Sequence, residues 1–144
     1  MIAHEGPRFR TTTLDAVEEL PVVGGTLRWK PVRRTLGIRA FGTNAYVADA
    51  GQDVVEDHTE DDGAEEMYVV VRGHARFSID GEELDAPAGT IVFLHVPEAR
   101  RKAVAVRDGT TVLAVGGIPG RAHEISDWEE RFYQEGRARL DAAT

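Results

Sequence analysis

Between Thr26 and Ile118 the chain alternates apolar and polar residues in short runs, at residues 33–41, 45–48, 54–60, 66–71, 75–80, 83–86, 90–95, 102–107 and 110–115. A period of two is the signature of strands with one face buried. Turn-forming groups separate the runs: Gly42-Thr43-Asn44, Ala50-Gly51, Asp61-Asp62-Gly63, Asp80-Gly81, Pro87-Ala88-Gly89 and Asp108-Gly109. The two Asp-Gly pairs favour tight hairpins, whose central residues need positive φ. Many short strands without intervening helices predict an all-β fold, a small antiparallel β-barrel or jelly roll.

The two ends break this period. Residues 1–25 read as an N-terminal arm, with a short helix expected over residues 13–20, capped by Thr13 and stopped by Pro21. Gly24-Gly25 punctuates the start of the β region. Near the C-terminus, Ser126-Asp127-Trp128-Glu129 has the form of a capping box. Trp128, Phe132 and Tyr133 then fall on one side of a helix predicted over residues 126–140, which should pack on the β unit or on a second subunit. The expected organisation is one domain: arm (1–25), β unit (26–120), and helix with tail (121–144).

Composition narrows the function classes. At 144 residues the chain supports one core, with roughly 70% of the unfolded surface buried on folding. With no cysteine, disulfides and thiolate metal sites are excluded, which fits a cytoplasmic setting. The first 13 residues have no apolar stretch of the kind a secretion signal carries. No apolar run approaches the roughly 20 residues of a membrane span, so no membrane partner is expected. A formal charge of −8 argues against nucleic acid. Arg33-Arg34 and Arg100-Arg101-Lys102 are too short to make a basic stripe.

Candidate chemistry concentrates in HTEDDGAEEMYVVVRG, His58 to Gly73. Residues two apart on a strand share a face, so His58 and Glu60 point together, with Glu56 a further candidate. Glu66, Tyr68 and Val70 form a second such set. An imidazole and two carboxylates brought together suit Fe, Mn, Ni or Zn, and they can equally be solvated strand ends. The alternation of Ala75, Phe77 and Ile79 puts Phe77 inside and His74 outside. His95 reads as a strand-end surface histidine, and His4 and His123 lie outside the motif regions. Ser78 and Ser126 lack a nucleophile-elbow context, and Gly116-Gly117-Ile118-Pro119-Gly120 lacks the Lys-Ser/Thr of a phosphate loop.

Glu66 and Gly73, with Met67-Tyr68-Val69-Val70-Val71-Arg72 between them, resemble the first conserved motif of the cupin superfamily. His58 matches that motif's first histidine, and Glu60 stands where its second belongs. Pro87-Ala88-Gly89-Thr90, Ile91–Leu94 and Val96-Pro97 resemble the second motif, whose closing histidine would fall on Arg100. The resemblance covers residues 45–115 and implies a single-domain cupin with a degenerate metal site. It implies a homodimer paired through the N-terminal region, and residues 26–41 carry the apolar surface for it. Guanidinium cannot ligate a metal, so Arg100 is expected either to pair with Glu60 and Glu66 or to orient an anionic ligand. Three functional readings follow. One is small-molecule binding in a pocket of His58, Glu60, Glu66, Tyr68, Phe77 and Arg100. Another is metal-dependent dioxygenase, isomerase or lyase chemistry on His58, Glu60 and Glu66. The third is a non-catalytic oligomerisation or interaction module working through the C-terminal helix.

Overall fold

The computed structural model describes residues 4–143. A β-hairpin, β1 (His4–Glu5) and β2 (Arg10–Thr11), opens the chain. Residues 13–17 then make a turn where a helix was expected. Thr13 does cap it, accepting from the Ala16 N–H at 3.1 Å through Oγ1, but the chain leaves for β3 (Leu20–Pro21) before a second turn forms. β4 (Arg28–Lys30) follows. The run at 33–41 is also not a strand: Val32–Leu36 is helix α1, closed by Gly37 in the left-handed region at φ 70°. The residue of this helix that is buried is Arg33, and Phe41 at the end of the run is exposed.

The remaining strands follow the pattern closely: β5 (Gly42–Ala48), β6 (Asp53–His58), β7 (Glu65–Arg72), β8 (His74–Ile79), β9 (Glu82–Pro87), β10 (Ile91–Leu94), β11 (Arg101–Ala105) and β12 (Thr110–Gly117). They form two antiparallel sheets, ordered β10-β7-β12-β5-β4-β3 and β6-β11-β8-β9. The result is a jelly-roll sandwich. The sheets do not close into a barrel, which corrects that part of the expectation. Within the arm, β3 extends the larger sheet through β4.

The core lies between the sheets, with Trp29, Val70, Val112, Val54, Phe77 and Ala103 fully buried. Strand ends are set by backbone needs. Asp80 and Gly81 both take positive φ at the β8–β9 hairpin, as an Asp-Gly turn requires. Gly73 has φ 75°, and a Cβ there would stand 2.5 Å from Thr110 Oγ1, so only glycine fits where β7 turns into β8.

Helix α2 (Asp127–Ala142) closes the molecule. Ser126 makes no side-chain cap, and Glu129 does not reach back to it. Instead the Glu129 carboxylate accepts Arg33 Nε at 2.7 Å and Asn44 Nδ2 at 3.3 Å, tying α2 to α1 and β5. Trp128 packs on Trp29 at 5.5 Å between ring centroids, so the aromatic side of the helix is spent on the chain's own sandwich. Trp29 and Leu27 are likewise inside, which uses much of the apolar surface that suggested a partner subunit.

Candidate functional site

One end of the sandwich opens into a cleft of about 780 Å³ between the sheets, bounded by the segment 118–126 and by α2. His58 stands at the end of β6, directly across from Arg101 on β11. Cross-strand partners share a face, so the two side chains enter the site together. Their meeting depends on a bulge: β11 advances two residues from Arg101 to Ala103 while β6 retreats three, from His58 to Val55. Glu66 comes from the opposite sheet, on β7, and Glu60 from the loop after β6, where its N–H donates to the Pro97 carbonyl at 3.0 Å.

His58, Glu60 and Glu66 place donor atoms within 4.8 Å of one another, a set that could hold a metal ion. His58 Nε2 lies 3.0 Å from Glu60 Oε1 and 3.7 Å from Glu66 Oε1. Its Nδ1 donates to the Glu56 carbonyl at 2.6 Å. Carbonyl and carboxylate oxygens only accept, so both ring nitrogens must carry protons and the group is an imidazolium. The two carboxylates and the Glu56 carbonyl raise its pKa to about 10, against the opposing effect of burial. The Tyr68 hydroxyl donates to Glu66 Oε1, and burial beside that carboxylate pushes the phenol up, so it stays a proton donor.

Arg101 completes the cluster. Its side chain is fully buried, with Nη1 3.4 Å from Glu66 and 3.9 Å from Glu60 and Nη2 donating to the Pro97 carbonyl at 3.0 Å. Arg100 was expected in this role and does not fill it. It lies one residue before β11, its side chain is 65% exposed, and it makes a bidentate pair with Asp57 on the outer surface. A shift of one residue reverses the face, and the count from Gly89 through the turn was one short. Tyr68 lines the cleft, whereas Phe77 sits behind it in the core, 5.7 Å from Tyr68 between ring centroids. His74 faces outward against Asp85, and His95 is exposed.

Among the cleft-lining residues that had no part in the sequence reading of the site are Asn44, Tyr46, His123 and Glu129. Asn44 and Tyr46 sit on β5, which shows no motif. His123 and Glu129 come from the chain after β12, and only the fold brings them back. Arg101 did leave a signal, because Arg101, Ala103 and Ala105 are the buried alternation of β11.

Neither family models nor curated proteins match this chain. Solved structures do. An RmlC-like cupin from Shewanella frigidimarina superposes with a TM-score of 0.59 at 18% identity, over 80% of this chain and 95% of that one. A cupin-superfamily sugar phosphate isomerase from Silicibacter pomeroyi gives 0.61 at 19%, over 74% of each. A protein described as a predicted oxalate decarboxylase from Thermotoga maritima gives 0.56 at 18%, over 71% of this chain and 91% of that one. The chain has the cupin fold. At these identities the likeness extends to the fold alone, and the chemistry must be argued from the residues present.

Those residues suit an ion by distance and resist it by charge. The Nδ1–carbonyl bond of His58 would orient a ligating imidazole well. Yet the two carboxylates already have a fixed counter-charge in the Arg101 guanidinium, whereas the His58 proton could be released to an incoming ion. A divalent ion about 4 Å from a guanidinium is repelled by roughly 8 kcal/mol at an effective dielectric near 20, and Arg101 is walled in and cannot swing out to solvent.

The imidazolium has a consequence for pH. The His58 pKa is raised on folding from 6.5, so its contribution to stability is complete below pH 6.5 and is lost as pH rises through about 10. Its side chain is 35% exposed, and solvent screening trims the size of the effect. NMR should find the His58 ring still protonated at pH 8. A midpoint near neutrality would refute this charge assignment.

Proposed function

We propose that this cupin-fold chain binds a small molecule in the cleft between its sheets, beside a His58–Glu60–Glu66–Arg101 cluster that works without a resident metal. The observation that supports this most is the buried guanidinium of Arg101 on Glu66. It supplies, from the protein itself, the positive charge that two adjacent carboxylates need. Imidazolium, carboxylates and the Tyr68 hydroxyl then offer a ligand both donors and acceptors.

The expected anionic ligand loses its support along with Arg100. Arg101 does not line the cleft, and its guanidinium is committed to Glu66 and Pro97. The wall carries Glu56, Asp62, Glu65, Glu124 and Asp127 against Arg121. A neutral or cationic ligand suits such a wall. The packing of Trp128 on Trp29 argues against a free interaction surface on α2. A homodimer is kept as a proposal: Phe41 of the 26–41 segment is still exposed, and Phe9, Ile91 and Phe93 add further apolar surface.

The competing reading is a metal-dependent enzyme on His58, Glu60 and Glu66, favoured by their spacing. Elemental analysis decides between the two. Tag-free protein incubated with Fe, Mn, Ni or Zn should hold no stoichiometric ion. Arg101→His should create a two-imidazole, two-carboxylate set and take up close to one ion per chain, while Arg100→His should not. Stoichiometric metal in the unaltered protein that disappears in Glu66→Gln would overturn the metal-free reading.

A further inference from the structure

The cleft has a second polar pole. Asn44 on β5 lies beside Ala114 on β12, and Ala114 lies beside Tyr68 on β7. Two strand spacings, about 10 Å, therefore separate Asn44 from the Tyr68 end. The intervening floor is made by the small residues Ala114 and Gly116, with the Tyr46 hydroxyl beside Asn44.

Asn44 is 5% exposed. Its Nδ2 donates to Glu129, and because a carboxylate only accepts, the amide cannot be turned over. Oδ1 is therefore fixed as an acceptor and is buried, with no donor in hydrogen-bonding geometry among the described residues, although the Tyr46 hydroxyl stands close to the Asn44 amide. His123 Nε2, from the 118–126 segment, is also buried without a partner, and its ring lies against Gly42, two residues before Asn44 on the same face of β5. Buried polar atoms are nearly always satisfied, and an orphaned one costs about 1–3 kcal/mol. What Asn44 Oδ1 requires is an N–H or O–H. The Glu129 carboxylate, already paired with Arg33 at 2.7 Å, adds acceptor lone pairs and no free charge, and the aromatic rings of Trp128 and Phe132 line the cleft. Beside these acceptors and aromatic faces, the surplus of carboxylates along the wall (Glu56, Asp62, Glu65, Glu124 and Asp127 against Arg121) favours an ammonium over a hydroxyl.

We infer that Asn44, His123 and Glu129 form a subsite for the protonated amino group of the cleft's ligand, a small primary amine with an apolar body. This rests on the reading of the cleft as a small-molecule site. The segment 118–126, which carries His123, walls the cleft on that side.

The test uses the full-length protein and three probes of matched shape, phenethylamine, phenethyl alcohol and phenylacetate, followed by amide chemical shifts in a ¹H–¹⁵N spectrum. Phenethylamine should shift cleft residues and bind more tightly than the other two. His123→Ala, on a segment outside the sheets, should weaken it about tenfold, and Asn44→Leu should do the same or more. If Asn44→Leu fails to fold, the His123 variant carries the result. Amine binding that neither variant alters would overturn the subsite while leaving the cleft as a binding site. Preference for the alcohol or the acid would overturn the amine assignment. No perturbation by any probe would overturn the inference, and the metal analysis above would still judge the cleft independently.

Discussion

Arg101→Met lowers the unfolding free energy by about 3 kcal/mol, whereas Arg100→Ala leaves it within about 0.5 kcal/mol. The two arginines are neighbours in sequence and opposites in setting. Arg101 is fully buried between Glu60, Glu66 and the Pro97 carbonyl. Removing it leaves two partly buried carboxylates facing a single imidazolium, and water in the cleft screens only part of the surplus charge. Arg100 pairs with Asp57 in solvent, where such a pair contributes little. Urea denaturation of both variants at pH 7 makes the comparison. Equal losses would mean that Arg101 is not the counter-charge. The double variant Arg101→Met/Glu66→Leu should recover part of the loss, because removing a whole buried pair costs less than breaking one.

The second large effect is expected at Glu129. Glu129→Gln should cost about 3 kcal/mol, because Arg33, itself buried, would lose the only carboxylate within its reach among the described residues. Glu130→Gln is the control. That residue meets Arg34 on the surface of the same two helices, and its loss should stay below about 1 kcal/mol. Amide exchange should locate the difference in α2, since the Glu129 carboxylate fastens the helix to α1 and β5. Matching effects at 129 and 130 would rule out this account of how the helix is held.

These two residues also mark how far the sequence could be read. The β region was legible because burial on one face imposes a period of two, and the Asp80-Gly81 hairpin because its backbone demands particular residues. The helix after Ser126 was legible from its aromatic spacing, but the capping box was not what it seemed. The Glu129 carboxylate belongs to residues 96 and 85 positions away, and no local pattern announces such a partner. The short elements failed for a related reason. Residues 13–20 and 33–41 are governed by where the sandwich needs covering, and local propensity is weak over such lengths. At the site, spacing left His58, Glu60 and Glu66 open between ligands and solvated strand ends, the cupin resemblance singled them out, and the structure brings all three together. Arg100 was misplaced because face assignment depends on counting residues through an irregular turn. Asn44 and His123 carry no motif, and only the folded chain shows that each holds a buried atom in want of a partner.

The bulge on β6 gives the site an unexpected tolerance. His58 and Val55 both face inward although they are three residues apart, which regular pleating forbids. Removing one residue at Glu56-Asp57 would leave them two apart, the spacing at which regular pleating itself puts both on one face, so the imidazole would stay turned inward and only the bulge would go. Among related chains, a single-residue gap at this point is therefore compatible with the same cluster, even where the aligned letters fall out of step.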